Sequence, residues 1–256
     1  MDMKLQKEPF DAIQTGFKTI ELRLYDDKRR KLQKGDTIVF SCLEDNTKTI
    51  QKKVSKIHVF SNFADLYSNL PLLKCGYTPF TLQKASANDM REYYTDEQQK
   101  KYGVVGIELN EEPLQRFTSA QTGKMPYCSS YEKAFEEIKN MKKESHWMWY
   151  VFPQIKGLTP DPVTEYYALK NREEAEAFLN HPVLGKRLKE ITQALLDTEA
   201  YDPVSIFGYT DSYKLKWCMS LFSEISSEED VFSKVLEQFC MGLKDNKTVQ
   251  ILSTFN

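Results

Sequence analysis

The sequence predicts an α+β protein of two unlike halves, strand-rich first and all-helical second. Three observations carry that expectation. Upstream of about residue 110, short β-branched or aromatic runs such as Thr37-Ile38-Val39-Phe40 and Gly103-Val104-Val105-Gly106-Ile107 recur between turn residues. Downstream, apolar residues fall at steps of three and four, the helical interval. Between the halves, residues 111–130 carry Pro113, Gly123 and Pro126 among polar side chains with no sustained period, the pattern of a linker. The expected organisation is a β domain over 1–110, a linker over 111–130 and a helical domain over 131–256.

Length and charge agree with that division. The chain has 256 residues, about twice the commonest domain size of ~100–150. It holds 35 Lys and Arg against 37 Asp and Glu, a net of −2 that excludes a histone-like polycation and a polyacidic tail. Residues 1–110 carry 18 basic and 15 acidic side chains, a net of +3, and the remainder 17 and 22, a net of −5. The first half is thus the better candidate for a polyanionic partner. No run of about 18 apolar residues occurs and the opening octet is polar, so a soluble cytoplasmic chain without a membrane partner is expected. Five cysteines without a C-x-x-C pair suggest buried thiols. Histidines scattered at 58, 146 and 181 give no metal site, and no cofactor is expected.

In chain order, Glu8–Ile13 reads as a short helix with Pro9 in its first turn and Gly16 closing it. The segment Lys18–Leu24 alternates with period two. Ile20, Leu22 and Leu24 point into a core, while Glu21 and Arg23 point the other way with Lys18 beside them. A basic loop, Lys28-Arg29-Arg30-Lys31, precedes the Gly35-Asp36 turn and the strand through Phe40. A long strand around 51–59, a helix from Asn62 to about Leu73, a short helix near 89–94 and a closing strand over 103–109 follow.

The pattern Gly16-x-Lys18-x-x-Glu21-x-Arg23, with the Gly35-Asp36 turn and the Tyr93-Tyr94, Glu97 and Lys101-Tyr102-Gly103-Val104 ending, resembles the ASCH family (activating signal cointegrator homology) over about residues 3–110. The resemblance implies a PUA-like β-barrel whose cleft, lined by Lys18, Glu21 and Arg23, suits RNA or a nucleotide-like small molecule. The chemistry agrees: cations hold phosphate, a carboxylate accepts from a base amino group, and Tyr93 or Tyr94 offers a stacking face. Lys28, Arg29, Arg30 and Lys31 would attract phosphate from outside. The plainer alternative is a same-face Glu21–Arg23 ion pair on a solvated strand, worth about 0.2–1 kcal/mol.

Catalysis in the same cleft is the alternative reading, with Lys18 and Glu21 as its residues. Some small ASCH relatives are amidohydrolases of N4-acetylcytidine, with a Lys, a Thr nucleophile and a Glu. Lys18 fits that pattern, Glu97 is a candidate for its carboxylate, and Glu21 stands where the Thr would be. Thr19 lies two residues earlier, and a threonine needs an adjacent base to become a nucleophile. Other relatives resemble single-strand ribonucleases, for which Lys18, Arg23 and Tyr93 are the candidates.

The second half opens with a capping-box spacing from Ser129 to Glu132, followed by Tyr131, Phe135 and Ile138 at helical steps. About five helices are expected, with Asn171 and Asp211 as N-caps. The blocks SHWMWYVFPQIKGL, HPVLGKRL and Ile206-Phe207-Gly208-x-x-Asp211-x-x-Lys214-Leu215 resemble the domain of unknown function 1810 family over about residues 131–252. That implies a compact multihelical fold and no particular activity. His146, Trp149, Gln154, His181, Asp211 and Lys214 are the candidate site residues here, being polar or stacking groups set among apolar blocks. Against a site role stand capping by His181 and Asp211 and core packing by the tryptophans. A protein partner bound through the helical domain is the third reading.

Overall fold

The computed structural model describes residues 1–198, 200–226 and 231–255. It separates into two compact units, residues 1–115 and 116–256.

The first unit contains β1 (Asp2–Leu5), α1 (Lys7–Gln14), β2 (Ile20–Leu24), β3 (Thr37–Cys42), β4 (Thr49–Phe60), α2 (Phe63–Asn69), α3 (Asp96–Tyr102) and β5 (Val104–Leu109). The strands form one five-stranded sheet in the order β1-β3-β4-β5-β2. The β1–β3 pair is parallel and the others antiparallel, with Glu21 opposite Ile107 and Arg23 opposite Val105. β1 had no signature in the sequence, since its polar Asp2 and Lys4 mask the alternation of buried Met3 and Leu5.

β1 and β2 are therefore the two edges of an open half-barrel, and a side chain spans them: Arg23 Nη2 donates to the Lys4 carbonyl at 2.9 Å. β5 lies between β4 and β2 and is buried on both faces, with Val105, Ile107 and Leu109 in one core and Val104 in the other. The first core also takes Phe10 and Ile13 of α1. An eight-residue helix is below the ~12–15 residues at which an isolated helix holds. Burial of those two side chains, at about 1.5–3 kcal/mol each, is what fixes it. The second core packs Ile20, Leu22 and Leu24 of β2 against Phe63 and Leu66 of α2.

Residues 111–130 are not a linker. Helix α4 (Gln115–Ala120) forms there, and Phe117, Ala120, Met125, Tyr127 and Cys128 are buried. Its apolar residues are spaced by turns, so no helical period reveals them.

The second unit continues with α5 (Tyr131–Lys139), α6 (Met148–Val151), α7 (Pro162–Tyr167), α8 (Arg172–Asn180), α9 (Leu184–Leu196), α10 (Pro203–Ile225), α11 (Val231–Cys240) and α12 (Asn246–Ser253). That is more than the five expected, because α6 and α7 are too short to show a period. Ser130, not Ser129, caps α5 by accepting from the Lys133 amide, while Asn171 caps α8 through the Glu174 amide. α10 is the central element. Every residue from Cys218 to Ser223 is buried, so this stretch is covered around its whole circumference, as in a core helix. Gly208 breaks it at φ +73° and ψ 169°, so the helical run resumes at residue 209. Among the described residues no helix is long and apolar enough to cross a membrane.

Candidate functional site

In the first unit, Lys18, Glu21, Arg23 and Tyr93 line one cavity of about 430 Å³. Two local devices place the charged three. After α1 the chain reverses through Gly16 at φ +78°, where a Cβ would fall 2.7 Å from the Gln115 side chain. Lys18 then bonds back to the Ala12 carbonyl and Thr19 to that of Lys74. From there β2 carries Glu21 and Arg23 on the face opposite Ile20, Leu22 and Leu24. Both faces of this strand are covered, so Glu21 is 4% exposed.

The three charges form one chain of contacts. Arg23 Nε lies 2.8 Å from Glu21 Oε1, and Lys18 Nζ lies 3.4 Å from Glu21 Oε2, an oxygen that accepts no hydrogen bond. Lys18 Nζ also donates to the Cys75 carbonyl at 2.9 Å. Arg23 reaches the Tyr94 hydroxyl at 3.5 Å as well as the Lys4 carbonyl. Burial disfavours the Arg23 charge, but Glu21 and Tyr94 more than offset that and leave its pKa above the ordinary guanidinium value.

Aromatic rings stand around this charged cluster. Tyr93 is 52% exposed, with its ring 6.5 Å from that of Tyr94, which stacks on Phe63 at 5.7 Å. Tyr67 and Tyr77 supply another wall, their hydroxyls 2.8 Å apart, with Tyr77 donating to Asp89 at 2.7 Å. Burial, then the bonds to Tyr67 and Asp89, push the Tyr77 phenol above its ordinary range, so it keeps its proton. Tyr67, Tyr77, Asp89 and Lys4 escaped the sequence reading. Lys4 comes from β1, Tyr67 from the seven-residue α2, and Tyr77 and Asp89 from the irregular stretch between α2 and α3, where no period marks a face.

Not every expected residue converges here. Glu97 is exposed on α3 and does not line the cavity. Its helix turns Gln99 inward instead, where the Gln99 side chain accepts from the Phe63 amide. Nor do Lys28, Arg29, Arg30 and Lys31 line it. Lys28 donates to the Asp2 carbonyl, Arg29 pairs with Asp26, and Arg30 holds the carbonyls of Tyr25 and Tyr102. Thr19 is buried and lies outside the lining. The Cys75 thiol, at the cavity wall, is pushed up to about 12 by burial, far from the thiolate state a nucleophile needs.

In the second unit, His146, Trp149, Asp211 and Lys214 meet. The His146 ring stacks on Trp149 at 6.3 Å, and Lys214 Nζ lies 4.8 Å from the centre of the Trp149 ring. Asp211 does not cap a helix, because Gly208 ends the first part of α10 and makes Asp211 the third residue of the next run. It instead bridges Lys143 at 2.8 Å and Lys214 at 2.9 Å, while Asp202 caps α10. Burial works against the Asp211 charge, and the two lysines hold its pKa below the usual carboxylate range. Gln154 is fully buried with no hydrogen-bond partner for either side-chain polar atom. His181 Nδ1 accepts from the amides of Val183 and Leu184 at the start of α9.

The half-barrel and its cavity define the first unit's class: residues 3–113 match the ASCH domain model, and this half is an ASCH domain. The second half matches a separate model over residues 111–252, and the chain belongs to that family, described as protein of unknown function (DUF1810). The crystal structure of the conserved hypothetical protein Rv1873 from Mycobacterium tuberculosis is similar at 35% identity and a TM-score of 0.51, covering 55% of this chain and 96% of that one. Hypothetical protein PH0355 is 35% identical with a TM-score of 0.36, covering 43% of this chain and 95% of that one. Protein PF0455 from Pyrococcus furiosus is 33% identical with a TM-score of 0.30, covering 43% and 94%. No curated protein matches the chain.

Proposed function

We propose that the protein binds RNA or a modified nucleoside in the ASCH cavity, with the helical domain as an accessory. The observation that carries this reading is the Lys18–Glu21–Arg23 cluster among cavity-lining tyrosines. Planar heteroaromatic ligands with polar edges suit that combination, because an aromatic ring stacks on any base while charged groups read its edge. Tyr93 provides the accessible stacking face, and Glu21 and Lys18 provide an acceptor and a donor side by side.

Binding is favoured over hydrolysis in the same cavity. A hydrolase needs a nucleophile beside a base, and neither Thr19, outside the lining, nor Cys75, held protonated, supplies one. The test is fluorescence anisotropy of a labelled single-stranded RNA, alongside titration with free nucleosides. Tyr93→Ala should weaken binding by about 5–150-fold, the equivalent of ~1–3 kcal/mol for one stacked base. Unchanged affinity in that variant would remove the cavity as the binding site.

A further inference from the structure

Resting on that reading of the cavity as a base site, we infer that it takes the uncharged base and ribose of a nucleoside and leaves phosphate outside, with Glu21 receiving an N–H from the base's pairing edge. The lining carries three cations, Lys4, Lys18 and Arg23, against three carboxylates, Glu21, Asp89 and Glu92, so its formal charge is zero. Phosphate recognition needs an excess of positive charge and free donors. The two inner cations are already engaged, with one Lys18 N–H left for a ligand acceptor. Lys18 Nζ serves the Cys75 carbonyl and faces Glu21. Arg23 donates through Nη2 to the Lys4 carbonyl and through Nη1 to the Tyr94 hydroxyl, while its Nε lies 2.8 Å from Glu21 Oε1 in an ion pair without a hydrogen bond. Taking these donors for a phosphate would uncover the Glu21 carboxylate and break the tie between β1 and β2.

At Glu21 the unfilled demand is for a donor. Glu21 Oε2 is buried, accepts no hydrogen bond and has only the 3.4 Å contact with Lys18. Leaving a buried acceptor unsatisfied is costly, and a ligand N–H placed beside Lys18 recovers that cost. Asp89 does not compete, because it already accepts from the Tyr77 hydroxyl and the Ser86 amide. Every nucleobase places an N–H next to a lone-pair acceptor on its pairing edge, matching Glu21 beside Lys18 in polarity. The cavity volume of about 430 Å³ lies at the lower end of the ~300–1,000 Å³ found for small-molecule sites, a size for one nucleoside and not for a duplex.

The test is calorimetric titration of the full chain at about 50 and about 200 mM salt. The probes are cytidine, adenosine, guanosine and uridine, their 5′-monophosphates, inorganic phosphate and a short single-stranded RNA. At least one nucleoside should bind, within about threefold of its monophosphate and with less than about a twofold salt effect, since one phosphate contact alone would give roughly threefold over that range. Inorganic phosphate should not compete. Glu21→Gln should weaken the nucleoside by about tenfold or more, the loss of one charge-assisted bond. Tyr93→Ala, a change at an exposed side chain, should also weaken it, which keeps the test valid where Glu21→Gln disturbs folding. A monophosphate more than about tenfold tighter, with inorganic phosphate competing, would overturn the inference. RNA bound with steep salt dependence and no nucleoside bound would overturn it while leaving the broader reading intact; binding of none of the probes would remove both.

Discussion

Glu137 gives the sharpest stability prediction, because one buried carboxylate fixes the segment that carries His146 and Trp149. The side chain is on α5 and 7% exposed. Its Oε2 accepts from the amides of Glu144 and Ser145 at 2.9 and 3.1 Å and from Trp147 Nε1 at 2.7 Å, while Oε1 accepts from the Ser145 hydroxyl at 2.5 Å. In Glu137→Ala all four donors lose their partner. With ~1–3 kcal/mol for each donor left buried, and partial relief by water at the Ser145 end, the expected loss is about 3–5 kcal/mol. Glu137→Gln keeps a carbonyl for the Oε2 donors and turns its amide toward the Ser145 hydroxyl, so the cost falls to about 1–2 kcal/mol as charge assistance disappears.

All three tryptophans, Trp147, Trp149 and Trp217, lie in the helical unit. Denaturant unfolding followed by their fluorescence therefore reports this unit. The pH dependence has a definite sign. Burial alone would raise the Glu137 pKa, but the bonds from Ser145, Trp147 and the two amides win and leave it below the ordinary value of 4.5. A depressed carboxylate contributes stability above its unfolded pKa and loses that contribution as pH falls through the folded one. The gap between wild type and Glu137→Gln should thus be full at neutral pH and close below the ordinary carboxylate range. A gap that persists unchanged in acid, or a Glu137→Ala loss under about 1 kcal/mol, would refute the argument.

Three further outcomes follow from other contacts. Arg116 and Glu174 form a bidentate pair with both distances at 2.9 Å; removing either partner should cost about 3–5 kcal/mol by chemical denaturation, and an apolar replacement of both should cost less. Gly185→Ala would set a Cβ 1.8 Å from the Leu179 carbonyl oxygen at the α8–α9 contact, so a loss of about 3 kcal/mol or more is expected in the same assay. Arg23→Ala frees the Lys4 carbonyl and leaves Glu21 without its closest cation; amide exchange of β1 should accelerate by about tenfold or more as the edge strands lose their tie.

Local periodicity reached some of this architecture and failed where contacts are non-local. The alternation of Lys18–Leu24 placed Ile20, Leu22 and Leu24 in a core and set Glu21 with Arg23 on the other face, and the structure has them so. What alternation could not reveal is that this other face is also covered, by tyrosines from a stretch of short 3-10 turns. Glu97 was misplaced for a related reason: a seven-residue helix offers too few positions to define which side faces inward. The turn-rich segment 111–130 resembled a linker because Pro and Gly dominate local pattern, although its apolar residues are buried. Asp211 fits a cap in sequence, yet its role depends on Lys143, 68 positions away, and on the break at Gly208.

The most direct measurement of the central claim is hydrogen–deuterium exchange of the full chain with and without saturating single-stranded RNA or nucleoside. Protection should appear in peptides containing Lys18–Arg23 and Asp89–Tyr94, which together border the cavity, and peptides of the helical unit should be unchanged. Protection confined to the helical unit, or to the Lys28–Lys31 loop alone, would contradict the assignment of ligand binding to the ASCH cavity.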